Sequence, residues 1–167
     1  SPMGFLTGCG NKTKSGMVVT QEAGEMTYRT NKAKNDKVSI LGYGCMRWPM
    51  KKDEEGKDII DQEKVNELID YAIEKGVNYF DAAPVYLQGQ CEAATGEALS
   101  RHPRESYFVA TKLSNFKDAS RAEGIRMYKA SLEAFRTDYL DYYLLHSIKN
   151  AATFTKRFVE NGLMDFL

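Results

Sequence analysis

The feature that most constrains this chain is a repeat of position. Asp81, Lys112 and His146 each close a short apolar run, and they follow one another at intervals of roughly 30 residues, the length of one strand–helix unit. The runs are Val77–Phe80, Tyr107–Thr111 and Tyr139–Leu145. Runs that are mostly apolar and aromatic suit strands buried on both faces. Helical patterns lie between them. Gln62–Lys75 carries Val65, Leu68, Ile69, Ala72 and Ile73 at helical spacing and stops at Gly76. Glu92–Leu99 reads as a short helix halted before His102-Pro103. Ala119–Phe135 sets Ile125, Tyr128, Leu132 and Phe135 on one face. A last helix is expected over Phe154–Leu167, interrupted at Gly162.

The chain before Val77 extends the pattern. Leu41–Met46, broken by Gly42 and Gly44, reads as a first buried strand ending in a close backbone approach. Met26–Thr30 and Lys37–Ile40, joined by the turn-rich residues 31–36, are expected to form a hairpin. Strands alternating with amphipathic helices predict an α/β fold with a parallel sheet. That sheet can be open and doubly wound or closed as a (β/α)8 barrel. No GxGxxG follows the first strand, which weighs against the dinucleotide-binding doubly wound form.

Position then points to chemistry. The C-terminal strand ends of a barrel form its active-site face. Taken singly, an aspartate after a strand is commonly a turn residue, a lysine a solvated charge and a histidine a structural group. At the ends of three successive strands they converge on one pocket. Tyr86 lies in the loop just beyond Asp81 and should overhang it. A phenol ordinarily titrates near 10, and a neighbouring ammonium lets it give up its proton nearer neutrality. Lys112 would be that ammonium, Asp81 its anchor, and His146 a hydrogen-bond donor to a substrate oxygen. Such a set can protonate an oxygen that is gaining negative charge.

These motifs resemble those of the aldo-keto reductases. Asp81-Ala82-Ala83-Pro84-Val85-Tyr86 is similar to the family's Asp-Thr-Ala-x-x-Tyr, with Ala82 in place of the usual threonine. Thr111-Lys112-Leu113 resembles the lysine-bearing third strand, and Tyr142-Tyr143-Leu144-Leu145-His146 the histidine-bearing fourth. Gly42-Tyr43-Gly44-Cys45-Met46-Arg47 is similar to the first strand. With Trp48-Pro49 it looks most like a bacterial branch whose longer members often add a C-terminal iron–sulfur segment. The resemblance covers residues 26–167.

The resemblance implies a partial (β/α)8 TIM barrel: about the first four βα units behind an N-terminal hairpin. It implies an oxidoreductase reducing a small carbonyl substrate with NADP, or NAD, as cofactor. Its tetrad would be Asp81, Tyr86, Lys112 and His146, with Tyr86 the general acid. The backbone of Gly44, Cys45 and Met46 would line the nicotinamide, and Trp48 would face the substrate. An iron–sulfur cluster would belong only to a longer chain. A whole barrel takes ~250 residues, and most of the family's cofactor contacts lie in its second half. The 167 residues here are therefore expected to turn over little alone and to self-associate through the open half-barrel. The alternative is a non-catalytic half-barrel that binds or regulates a partner.

Composition narrows the remaining classes. Lys plus Arg and Asp plus Glu both number 23, so nothing favours a nucleic-acid partner. No apolar run is long enough to span a bilayer. His102 and His146 are the only histidines, too few for a metal-dependent hydrolase site. Cys9, Cys45 and Cys91 form no metal or redox spacing. Residues 1–25 read as a disordered tail or linker. Within them Leu6-Thr7-Gly8-Cys9 resembles a bacterial lipobox, although no basic or apolar stretch precedes it. The chain is then cytoplasmic, or exported and lipid-anchored if Cys9 belongs to a lipobox.

Overall fold

The computed structural model describes residues 25–167 together with the backbone of two short strands, β1 (Asn11–Lys12) and β2 (Val18–Val19), which pair antiparallel. The remaining expectation for residues 1–25, including the lipobox at Leu6–Cys9, lies outside the described residues. The expected hairpin forms as β3 (Tyr28–Asn31) and β4 (Asp36–Ser39), with Asn35 at φ 59° in its turn. β5 (Tyr43–Gly44) is shorter than the predicted first strand and passes into a 3-10 turn over Cys45–Arg47.

A second hairpin went unread in the sequence: β6 (Met50–Lys52) pairs antiparallel with β7 (Asp58–Ile60). Asp53 organises its turn by accepting from the amides of Glu55 and Lys57, and Gly56 takes φ 79°. β6 is exposed at all three positions, so no apolar alternation marks it. Three regular units follow. Helix α1 (Gln62–Glu74) leads to β8 (Tyr79–Asp81), α2 (Cys91–Leu99) to β9 (Phe108–Leu113) and α3 (Arg121–Ala134) to β10 (Tyr142–Leu145). Asp61 and Ser120 cap α1 and α3 by accepting from Lys64 and Glu123 amides, each cap contributing ~1 kcal/mol.

The four strands form one parallel sheet in the order β10-β9-β8-β5. Val65, Ile69 and Ala72 of α1, and Cys91, Ala94, Ala98 and Leu99 of α2, are buried against Phe80 and Val109 of the sheet. On α3 the most buried positions are the small residues Gly124 and Ser131, with Phe135 at the end, while Ile125, Tyr128 and Leu132 are only half-buried. The reason is a polar bond within the layer. Glu92 of α2 is buried and accepts from Thr111 of β9 and, at 2.9 Å, from Ser131 of α3. Burial raises the Glu92 carboxyl above its ordinary value.

The other face of the sheet would be the barrel interior. Tyr79, Phe108 and Tyr142 cluster at its N-terminal end, with ring centroids 5.3 Å and 6.1 Å apart across the two contacts. The β3–β4 hairpin covers this end, where the Tyr142 hydroxyl donates to Asp36 at 2.8 Å. The last helix departs from expectation. α4 (Ala151–Phe154) begins earlier, capped by Asn150, and opens into a π turn over Thr155–Val159. Gly162, at φ 70°, then turns the chain, as its position in the sequence suggested.

The α2–α3 contact depends on Gly96. A Cβ there would fall 2.2 Å from Ala134 O and 2.6 Å from Phe135 Cα. Gly96→Ala is therefore expected to lower stability in a urea titration by about 1–3 kcal/mol despite its better helix propensity.

Candidate active site

Strand register places the chemistry. Gly44 pairs with Asp81, and Asp81 with Ala110, so Lys112 stands two residues further along β9 on the same face. Its ammonium donates to Asp81 Oδ1 and to Ala82 O, both at 2.6 Å. Lys112 is the better shielded partner: its side chain is 12% exposed against 33% for Asp81.

Tyr86 comes over this pair from the loop after β8. Its amide donates to Ala83 O at 3.2 Å, and its ring centroid lies 4.8 Å from Lys112 Nζ. Leu87 and Gln88 follow at φ 51° and 56°, a left-handed conformation that costs roughly 1–2 kcal/mol per non-glycine residue. Backbone strain of this kind collects at sites where a side chain must be held in a particular place. His146 closes the group from the end of β10, edge-on to Tyr86 with ring centroids 6.0 Å apart. Ser147, directly after it, is also left-handed at φ 54°. Asp81, Tyr86, Lys112 and His146 thus stand together at the C-terminal ends of the parallel strands.

The other sequence-derived positions divide. Gly44 borders Asp81, and nothing lies within 4 Å of where its Cβ would stand. Met46 is exposed beside it. The Cys45 side chain points the other way, fully buried, and burial pushes its thiol well up. Only its backbone can border the site, which is what the resemblance required of it. Trp48 corrects an expectation. It is 3% exposed, stacks on Tyr43 and donates from Nε1 to Thr95 Oγ1 at 2.9 Å. Its indole closes the core beneath α2, so it does not face a substrate here.

The sequence reading missed three neighbours of His146. Ser114 Oγ lies 2.7 Å from His146 Nδ1, the Phe116 ring lies tilted with its centroid 5.1 Å away, and Arg157 Nη1 donates to His146 O at 2.7 Å. Ser114 was legible in principle, since it repeats the strand period two residues beyond Lys112. Arg157 was not, because only the tertiary fold returns it to this end. Burial, followed by the charges of Lys112 and Arg157, lowers the His146 pKa, with Asp81 opposing.

Among the described residues no helix is long and apolar enough to cross a membrane, and no cluster of His, Cys, Asp and Glu could hold a metal ion. A family model described as Aldo/keto reductase family matches residues 40–165. An oxidoreductase of Bacillus subtilis, YqkF, is 33% identical over 118 residues, covering 65% of this chain and 35% of that protein. NADP-dependent D-sorbitol-6-phosphate dehydrogenase of Malus domestica is 34% identical over 113 residues, 64% of this chain and 31% of that one. Among solved structures, the holo form of aldo-keto reductase AKR11C1 from Bacillus halodurans superimposes with a TM-score of 0.61 at 29% identity, covering 83% of this chain and 48% of that one. The chain spans about a third of the length of these curated relatives.

The His146 shift has a measurable consequence. An imidazole that resists protonation when folded binds fewer protons than the unfolded chain just below the ordinary value of about 6.5. Stability should then fall as pH drops through that window and level off below the folded pKa. Histidine NMR titration should place His146 below about 6.5, and His146→Asn should flatten the thermal-stability slope between neutral and mildly acidic pH.

Proposed function

Because the chain belongs to the aldo/keto reductase family, we propose that its site protonates the oxygen of a small carbonyl substrate while a nicotinamide cofactor reduces the carbon. The observation that carries this reading is the Lys112 ammonium, anchored by Asp81 and facing the Tyr86 ring, with His146 across from it. NADP is the cofactor we assign, with NAD as the alternative; the Malus domestica relative is NADP-dependent by name. The open backbone face at Gly44 suits a flat ring beside Asp81, and Gly44 with the Cys45 and Met46 backbone would hold it. When bound, that cofactor supplies a hydride.

The chain's own residues do the rest. Tyr86 gives its phenolic proton to the carbonyl oxygen as the C=O π electrons move onto that oxygen, leaving an alcohol and a tyrosinate. Lys112 opposes the charge left on Tyr86, and Asp81 keeps Lys112 in place. Where Ser114 donates to His146 Nδ1, the neutral ring carries its proton on Nε2. From there it can donate to the substrate oxygen. The low His146 pKa favours this neutral form. We also retain self-association through the open sheet, since β5 and β10 are its edges and Leu144 is exposed on β10. Sedimentation giving a stable monomer would exclude it.

Proton transfer is tested by NADPH oxidation with short aldehydes. In a full-length barrel, Tyr86→Phe should cut kcat by ~10²–10⁴-fold with little change in NADPH binding. Near wild-type turnover by this variant would overturn the assignment of Tyr86. Gly44→Ala addresses the cofactor face separately. It meets no neighbour, so folding stability should hold while NADPH binding weakens in a fluorescence titration.

A further inference from the structure

Arg157 is buried yet has no carboxylate partner among the described residues. Its Nε and Nη2 donate to Asn115 Oδ1 at 3.1 and 2.8 Å, and its Nη1 donates to His146 O and Ser147 O at 2.7 and 3.2 Å. All three acceptors of these four bonds are neutral oxygens. They orient the guanidinium, and the Phe116 and Phe158 rings face it at 4.8 and 4.7 Å, but none of these contacts supplies a counter-charge. Arg104, by contrast, meets Asp141 at 2.7 Å in the same fold. Holding a buried cation without a counter-charge is unfavourable, and burial lowers the Arg157 pKa accordingly.

This charge lines a cleft. Arg157, Lys149, Ser147, Thr153 and Phe116 enclose a cavity of about 420 Å³. Its lining carries two cations, two hydroxyls and no acid. The Arg157 donors are not exhausted: a guanidinium has five N–H groups, and the four bonds leave one on Nη2. The cleft also adjoins the tetrad. The Phe116 ring lies 4.8 Å from the Arg157 guanidinium on one side and 5.1 Å from the His146 ring on the other. An anion held at Arg157 and Lys149 therefore stands one aromatic ring away from the imidazole proposed to bind the carbonyl oxygen.

We propose that this cleft binds an anionic group, carboxylate or phosphate, and that the group belongs to the carbonyl substrate. The second half rests on the carbonyl-reduction reading; the first stands without it. Arg157 supplies a fixed charge and one N–H, and Lys149 a mobile ammonium. Ser147 and Thr153 add hydroxyls for the remaining oxygens. Phe116 separates the charged end of the ligand from its reacting end. The substrate would be an aldehyde or ketone that carries its acid a few atoms from the carbonyl.

Inorganic phosphate is the first probe, titrated into the isotopically labelled chain and followed by NMR. The expected result is saturable shifts at Ser147, Lys149, Thr153 and the Arg157 side chain. Affinity should fall at least ~10-fold in Lys149→Glu and in Arg157→Gln, in line with a lost charge-assisted contact. Shifts that do not saturate, that spread over the surface lysines, or that persist unchanged in Lys149→Glu would overturn the site. Lys149 is exposed and has no ion-pair partner among the described residues, so that variant decides the matter even where Arg157→Gln fails to fold. The substrate half is read from kcat/KM for 4-oxobutanoate against butanal in a full-length barrel. A preference for the acid that vanishes in Lys149→Glu, with butanal reduction intact, supports it. Equal rates on both aldehydes overturn it while leaving carbonyl reduction standing. Phosphate binding with no reduction of either aldehyde by a full-length barrel keeps the anion site and removes the carbonyl reading.

Discussion

The Lys112 ammonium is the contact on which the site depends. It is held at 2.6 Å by the Asp81 carboxylate and at 2.6 Å by the Ala82 carbonyl. Both acceptors come from the end of β8, while the lysine comes from β9, so the contact exists only in one register of the two strands. A one-residue slip would send Lys112 to the helix side of the sheet. The residue before it shows how the slip is prevented. Thr111 faces the helices and donates to the buried Glu92, which also accepts from Ser131. Adjacent residues of β9 are thus tied to carboxylates on opposite faces, one anchoring the strand to α2 and α3, the other orienting the charge that faces Tyr86.

Around this fixed pair the backbone accepts strain. Leu87 and Gln88 beyond Tyr86, and Ser147 beyond His146, all occupy the left-handed region without being glycine. They fall within two residues of Tyr86 or His146. Regular structure would carry Tyr86 and His146 onward along their elements, so the reversal after each side chain keeps it over the sheet. The strain is offset by the core behind it, where Phe80, Ile69, Leu99 and Val109 are almost fully buried. Fold stability and site geometry are linked here through packing rather than through direct contacts to the tetrad.

Much of the fold could be read from the sequence because parallel βα units write their period plainly. The hairpin at Tyr28–Ser39, helices α1 to α3 and the sheet strands fall where the apolar runs and caps place them. The family assignment was legible too, since the motifs sit on consecutive strand ends and the matched region spans residues 40–165. What failed was decided by tertiary packing. The β6–β7 hairpin buries only Ile60 and exposes β6 throughout, so no alternating pattern announces it. Trp48 looked available in the sequence, but Thr95 offered its indole a buried acceptor. On α3 the inward positions went to Gly124 and Ser131, small residues whose value lies in close approach and a hydrogen bond to Glu92. No hydrophobic pattern reports that.

Arg157 marks the limit of reading by motif. It lies in a segment that periodicity assigned to a plain amphipathic helix, and the helix relaxes into a π turn at this residue. π turns inside helices recur at functional sites because they shift one side chain out of its helical row. Here the shifted side chain reaches the ends of both β9 and β10: it takes Asn115 after one strand and the carbonyls of His146 and Ser147 after the other. The left-handed turn at Ser147 helps to present those carbonyls. One arginine therefore ties together the two loops that carry Ser114 and His146. Any charge that neutralises it acts on the same short stretch of backbone that positions the imidazole. By this geometry the side chain that carries the charge of the cleft is also the one that holds the backbone of His146 in place.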